Sequence, residues 1–457
     1  MSARSLELPL PFARALTALT SRRAYATGLA TIVALAAALG TWNAVKYPPY
    51  GGYDNERNVE YAKIVYDFHR LPAADEDASY YKPPAFFAVA GWLISQKDNR
   101  DDGRKYVQYF NGALYAATAL LVLLLAAIVF PRRRALHLFA GSFFVLLPAV
   151  PKMAASFHPA MMSVFFAAGG LVVAGWMLTR NRLGAWPSLG LAAVLLGGLL
   201  VASQNLWVYG SVLLAFLVGG LRQARGSRLR ALVPVAVVLA VTTLLAAPFY
   251  VQQAAKYGNP VLAGRAGWGG TPFFDRQASS FYTAPDAADL FTRPYRPSFN
   301  KQLVPVAYAE LWGDYFGYWS WAFNTPPDAS VERELVQQSA IGLLPTLLGL
   351  GGWFGLILAM VRERFRRPVI VAITVLPTAA LLGFLYYALA FHSTDGDTIK
   401  ASYMLVAVPA WALGFGWAAD SLRRRAVIGP ALLLLLIGSA LLSLPFVTYH
   451  DPLWGLL

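Results

Sequence analysis

Apolar stretches of roughly 17–25 residues recur along the whole chain, each long enough to cross the hydrocarbon core of a bilayer. They predict about eleven transmembrane helices, at residues 24–43, 106–130, 137–152, 159–179, 187–205, 207–221, 231–251, 338–361, 368–390, 402–420 and 426–446. Two long polar segments break this rhythm, 46–105 and 252–337, and both are rich in acids, aromatics, Pro and Gly. Long loops inside a compact protein are usually functional or disordered, and these two carry enough apolar residues to fold. The pattern therefore predicts an all-α integral membrane protein with one polytopic domain over 1–457. Its two large outer-face loops should contain short interfacial helices, the first loop being catalytic and the second a substrate-binding cap.

Within the first loop, Val59, Ala62, Val65 and Tyr66 fall on one face at helical spacing. The apolar run from Ala85 to Ile94 is too short to span and reads as an amphipathic helix lying at the interface. The second loop shows turn chemistry at Gly258-Asn259-Pro260, at Trp268 to Pro272 and at Arg293-Pro294, with aromatic clusters between.

Composition agrees, since 57% of the 457 residues are hydrophobic and only 14% charged, against about 25% charged in a soluble domain. The net charge of +14 would suit a nucleic-acid partner, but its distribution argues for a topology signal instead. The short turns on one side hold 20 arginines, no lysine and only Glu7, Glu363 and Asp420 as acids. The other side is close to balanced. By the positive-inside rule the arginine-rich turns face the cytoplasm, and the two long loops and the C-terminus face outward. This predicts a multi-pass protein of the inner (plasma) membrane whose partners include membrane lipids and no nucleic acid. There is no cysteine, so neither a disulfide nor a thiolate metal site can form.

Acids cluster where the first span meets outer water, at Gly51-Gly52-Tyr53-Asp54-Asn55-Glu56. A carboxylate placed there can deprotonate an alcohol or hold a divalent cation, whereas most acidic loop residues are merely hydrated. The segment Leu311 to Trp319 sets Asp314 among five aromatics, including Trp312. Such a surface suits sugar stacking, and an interfacial aromatic belt explains it equally well. Glu310 lies four residues before Asp314 and shares its face if the segment is helical.

At this point the sequence resembles a family. Tyr53-Asp54-Asn55-Glu56, Val59-Glu60-Tyr61-Ala62, Leu71-Pro72 and Tyr80-Tyr81-Lys82-Pro83-Pro84-Ala85-Phe86-Phe87 look like the first outer loop of C-type (GT-C) membrane glycosyltransferases. These enzymes use polyprenyl-phosphate sugars, and the lipid A aminoarabinose transferases and protein mannosyltransferases are among them. Phe157-His158-Pro159, Tyr257-Gly258-Asn259-Pro260 and Lys400-Ala401-Ser402-Tyr403 resemble later family segments in order and placement. Two positions depart from the pattern. Asn55 interrupts the acid pair, and Ser203-Gln204-Asn205 stands where relatives often carry Thr-Lys, so that lysine's contribution is missing or supplied elsewhere.

The resemblance implies a transferase that moves a hexosyl or pentosyl group from a polyprenyl-phosphate donor to an envelope glycan, lipid or protein acceptor. Asp54 and then Glu56 are the implied catalytic carboxylates. A leaving phosphate gains negative charge, so preplaced cations lower the barrier; Lys82 and Lys400, with Tyr403, are the implied phosphate ligands. One of Arg265, Arg276, Arg293 and Arg296 is a further candidate. Tyr53, Tyr81, His158, Trp312 and Asp314 are the implied substrate contacts, and a divalent metal ion is a candidate cofactor. Phe86, Phe87 and Trp92 are expected to border an isoprenoid groove. A transporter or flippase of a lipid-linked saccharide is the alternative, and it would place charges inside the helical bundle. A glycan-binding scaffold is a third reading.

Overall fold

The computed structural model describes residues 21–52, 54–73, 75–77, 79–222, 228–258, 261, 282, 287–294, 302–313, 329–390, 400–425 and 428–450. Every regular element among the described residues is helical. In chain order these are α1 (Arg22–Lys46), α2 (Asn55–Phe68), α3 (Ala85–Ser95), α4 (Arg100–Val129), α5 (Arg134–Leu146), α6 (Ala149–Ala155), α7 (Ala160–Arg180), α8 (Ala185–Val201), α9 (Asn205–Leu221) and α10 (Arg228–Tyr257). They are followed by a 3-10 turn (Ala287–Phe291), α11 (Leu303–Tyr308), a π turn (Ala309–Gly313), α12 (Ala329–Arg362), α13 (Pro368–Ala390), a 3-10 segment (Ala401–Ala407), α14 (Val408–Leu422) and α15 (Ile428–Val447).

Helices occupy all eleven places where spans are expected. By length and composition, eight are able to cross a membrane alone, and α5 with α6 makes a ninth as a pair bent by 54°. The remaining two, α8 and α9, are apolar helices of 17 residues each. The bend at 147–148 divides what the apolar run presents as a single span. Pro148 supplies no amide hydrogen and disfavours a helical residue before it, and Leu147 is accordingly extended, with ψ 110°.

The bundle packs α1 along α4, α4 along α7, α8 along α10, α9 along α13, and both α5 and α12 along α14. Side chains such as Leu125, Phe144, Leu171, Phe216, Leu376 and Leu413 fill its core. A second cluster roofs one end, where α2 and α3 of the first loop close over Phe157 through Val59, Tyr61, Phe86 and Phe87. Gly91 permits this approach, because a Cβ there would stand 2.4 Å from the Ala62 carbonyl oxygen. Phe86 and Phe87 are thus fully buried and cannot border a lipid groove, while Trp92 on the same helix is exposed. The face of α2 turned inward carries Tyr61 rather than Tyr66, since packing against α3 recruits the flank nearest Phe87.

The arginine-rich turns gather at the opposite end. Arg133 reaches Asp420, Arg367 donates to the Val129 carbonyl, and the Arg134 guanidinium lies over the Tyr25 ring. From that end α1 runs 25 residues, roughly 37 Å at the rise of an α-helix, to the loop that carries Asp54.

Candidate active site

The last carbonyls of a helix lack intrahelical partners and attract cations. At the end of α1, Lys105 Nζ donates to the carbonyls of Ala44 (2.9 Å), Val45 (3.0 Å) and Tyr47. The chain then turns through Pro48 and Pro49, pinned by Gln108 Nε2 to the Pro48 oxygen (3.0 Å). Asn55 Nδ2 holds the same turn through the Pro49 (3.0 Å) and Gly51 (2.9 Å) oxygens. Gly52 takes a φ of 98°, and a Cβ there would come within 2.9 Å of Ser156 Oγ. The sharp turn therefore requires glycine.

Asp54 stands at the N-cap of α2 in the left-handed region, φ 52° and ψ 23°, a conformation that Asp tolerates better than most residues. A capping Asp normally accepts from the first helical amides. Here it makes no such bond, and its carboxylate meets two ammoniums instead. Lys82 Nζ lies 3.3 Å from Oδ2 and Lys400 Nζ 3.6 Å from Oδ1. Lys82 is itself placed by Asn58, whose Oδ1 accepts from Nζ at 2.9 Å while its Nδ2 donates to the Phe157 carbonyl. Tyr61 fixes the adjoining backbone, its hydroxyl donating to the Lys82 carbonyl at 2.6 Å.

These groups line one cavity. Asp54, Tyr81, Lys82, His158, Lys400 and Tyr403 make a polar wall; Pro83, Val201, Ala202, Trp207 and Phe384 continue it as apolar surface. The Tyr403 ring packs edge-on against Tyr387 at 4.8 Å. Burial alone would raise the Asp54 pKa, but the Lys82 and Lys400 ammoniums outweigh it and hold the carboxyl well below the usual carboxylate range. Two cations against one anion leave the cavity wall net positive, which suits an anionic ligand.

His158 occupies the turn between α6 and α7, held by Asn111 Nδ2 donating to the Ser156 (2.9 Å) and His158 (3.1 Å) carbonyls. Its Nδ1 accepts from the Ala160 amide at 3.1 Å, so the neutral ring carries its hydrogen on Nε2 and can donate that bond to the cavity. Burial first, then Lys82, pushes the imidazole pKa down to about 3 from 6.5, with Asp54 opposing. The ring is thus neutral in the folded protein at working pH. An unfolded chain binds this proton below its ordinary value and the folded one does not, so His158 makes stability fall as pH drops from about 6.5 toward 3. His158→Gln should flatten that part of the stability profile in thermal unfolding across pH; identical slopes would show that His158 titrates normally.

The sequence candidates divide clearly. Asp54, Lys82, Lys400, Tyr81, His158 and Tyr403 come together from four separate stretches of chain. Glu56 points elsewhere, its side chain 57% exposed and paired with Arg100 (2.8 Å) and Arg104 (2.6 Å). Trp312 is buried in the bundle core beside Phe143. Glu310 is buried with Lys152 at 3.9 Å, and Arg293 pairs with Asp289 at 3.5 Å. Tyr53, Asp314, Arg265, Arg276 and Arg296 lie outside the described residues. Ser203 and Gln204, where relatives often carry Thr-Lys, do line the cavity, and its second cation is Lys400. Asn58 was missed, though its position one turn after Asp54 on the same helix face was a readable signal.

Among the described residues no group of three or more His, Asp or Glu is arranged to hold a metal ion. Both Asp54 oxygens face ammoniums, so the described wall does not fit a divalent cation.

No family model matches the chain, and no curated protein matches it. Solved structures do. The oligosaccharyltransferase of Archaeoglobus fulgidus in its apo form superposes with a TM-score of 0.58 at 13% identity, covering 94% of this chain and 56% of that one. The archaeal oligosaccharyltransferase AglB from Archaeoglobus fulgidus, in complex with an inhibitory peptide and a dolichol-phosphate, gives 0.55 at 12% identity, with coverages of 92% and 56%. ArnT from Cupriavidus metallidurans bound to undecaprenyl phosphate gives 0.50 at 14% identity, with coverages of 90% and 62%. The chain thus spans little more than half the length of the oligosaccharyltransferase. It is a multi-pass membrane protein with the C-type glycosyltransferase fold.

Proposed function

We propose that the protein transfers a hexosyl or pentosyl group from a polyprenyl-phosphate-linked donor to a glycan, lipid or protein acceptor. The observation that carries this reading is the cavity in which the Asp54 carboxylate faces Lys82 and Lys400. It lies in a fold shared with enzymes whose structures hold dolichol-phosphate and undecaprenyl phosphate. The two lysines take the donor phosphate, Tyr403 and the Nε2–H of His158 add neutral donors, and the apolar wall toward Trp207 and Phe384 receives the first isoprenoid carbons. The acceptor oxygen attacks the anomeric carbon, the bond from that carbon to the phosphate oxygen breaks, and Asp54 takes the acceptor's proton. Configuration inverts. The phosphate leaves with its charge compensated by the ammoniums, which is where preorganised electrostatics act most strongly.

Glu56 then has a supporting role, fixing the start of α2 against α4 through Arg100 and Arg104. The positive-inside rule orients the arginine end toward the cytoplasm and the Asp54 end outward, which a C-terminal reporter accessible from outside would check. Of the charged side chains buried among the described residues, Asp77, Arg104, Glu310, Lys400 and Asp420 lie at helix ends and turns, while Lys152 lies within α6, paired with Glu310. Most of this charge thus lies away from the middle of the spans, which supports a transferase over a transporter with charge along its interior. Purified protein in proteoliposomes with a labelled polyprenyl-phosphate sugar should release polyprenyl phosphate as label enters the acceptor. Translocation of intact donor without cleavage would establish the transporter instead.

A further inference from the structure

A second charged cavity lies at the far end of the bundle, between the turns that follow α4 and α12 and the side of α14. It measures about 200 Å³ and is lined by Phe130, Arg133, Glu363, Arg366, Arg367 and Trp417 among others. Three guanidiniums thus share a concave wall with one carboxylate. Beneath it, Asp420 has no solvent exposure and gathers Arg423 (2.8 Å), Arg424 (2.7 Å) and Arg133 (3.7 Å). Arg367 is fixed by the Val129 carbonyl and by the Phe130 ring, 5.2 Å from its guanidinium carbon. Arg133 also reaches Ser421 Oγ.

A topology signal alone requires only that arginines be present in the turns and solvated. This group is more constrained. A fully buried carboxylate is spent on organising the arginines, and cations from three turns are held side by side at a repulsive cost. Burial works against the charge on Arg133; Asp420 supports it, and Arg424, Arg367 and Arg423 oppose it again. Arg366 and Arg367 remain exposed at the mouth. Planar guanidiniums with fixed donors match phosphate oxygens bidentately, and basic pockets between transmembrane helices hold phosphate head groups.

We infer that this cavity is an anion site for a phosphate group, contributed by an anionic phospholipid or by a soluble phosphate, and separate from the Asp54 cavity. The inference does not depend on glycosyl transfer. The full chain in phosphatidylcholine nanodiscs would be titrated, at constant ionic strength, with short-chain phosphatidylglycerol and separately with inorganic phosphate, reading the unfolding midpoint. A saturable rise with either probe is expected, and which probe acts identifies the source. Arg366→Gln with Arg367→Gln leaves the Asp420 group intact and should raise the half-saturating concentration by about fivefold per arginine. Arg182→Gln, on another short turn, should behave as wild type. No saturable rise with either probe, a rise matched by chloride, or equal affinity in the double variant would overturn the proposal.

Discussion

Asp54→Asn is expected to lower turnover by roughly 10²–10⁴-fold, the usual contribution of general-base assistance. The amide keeps the size of the side chain and removes the proton acceptor. It also removes the carboxylate between Lys82 and Lys400, so that anion no longer competes with a phosphate for the two ammoniums. Donor affinity should therefore hold or tighten while kcat collapses. A merely structural Asp54 would weaken both together, and that result in donor-binding and single-turnover measurements would remove it from the chemistry. Glu56→Gln should cost far less, because Glu56 bonds arginines at the rim and not the cavity. If Glu56→Gln proved the more damaging variant, the assignment of the base would reverse.

The second large effect is expected from the lysines. Lys82→Ala and Lys400→Ala should each lower kcat/KM for the donor by about ten- to a hundredfold, since a charge-assisted hydrogen bond to phosphate is worth roughly 1.5–3 kcal/mol. Lys82 should show the larger loss. Asn58 and Tyr61 hold it in place, so little ordering is required when a phosphate arrives. Unchanged donor kinetics in both variants, with donor subsaturating, would assign these residues to lipid headgroups.

How much of this could be read in advance follows from what each feature depends on. The helices depend on apolar length alone, and a helix stands at each of the eleven expected places, although only eight, or nine with the bent pair, are long and apolar enough to span. The break at Leu147 was not legible, because Pro148 sits inside an apolar run whose hydropathy hides a backbone event. Asp54 and Lys82 were legible through local motifs, and Lys400 through its place before a late helix. Their convergence was not, because it depends on how α3, α7 and α13 close together. The fate of Glu56 turned on Arg104, 48 residues away. Phe86 and Phe87 misled because an apolar face can meet lipid or protein, and only the approach allowed by Gly91 decides which.

In the proposed function, the two lysines assigned to the phosphate also occupy the base, and this would couple the order in which substrates are used. With both ammoniums on it, the Asp54 carboxyl is held well below the usual carboxylate range, so on the proposed mechanism an acceptor arriving alone would meet a weakened base. A donor phosphate would compete for the same ammoniums and return basicity to the carboxylate as a sugar came into place to be attacked. Water would meet the same weakened base until then. On the proposed mechanism the acid and its partners would form a sequencing device in which donor precedes acceptor, built from two distances of 3.3 and 3.6 Å.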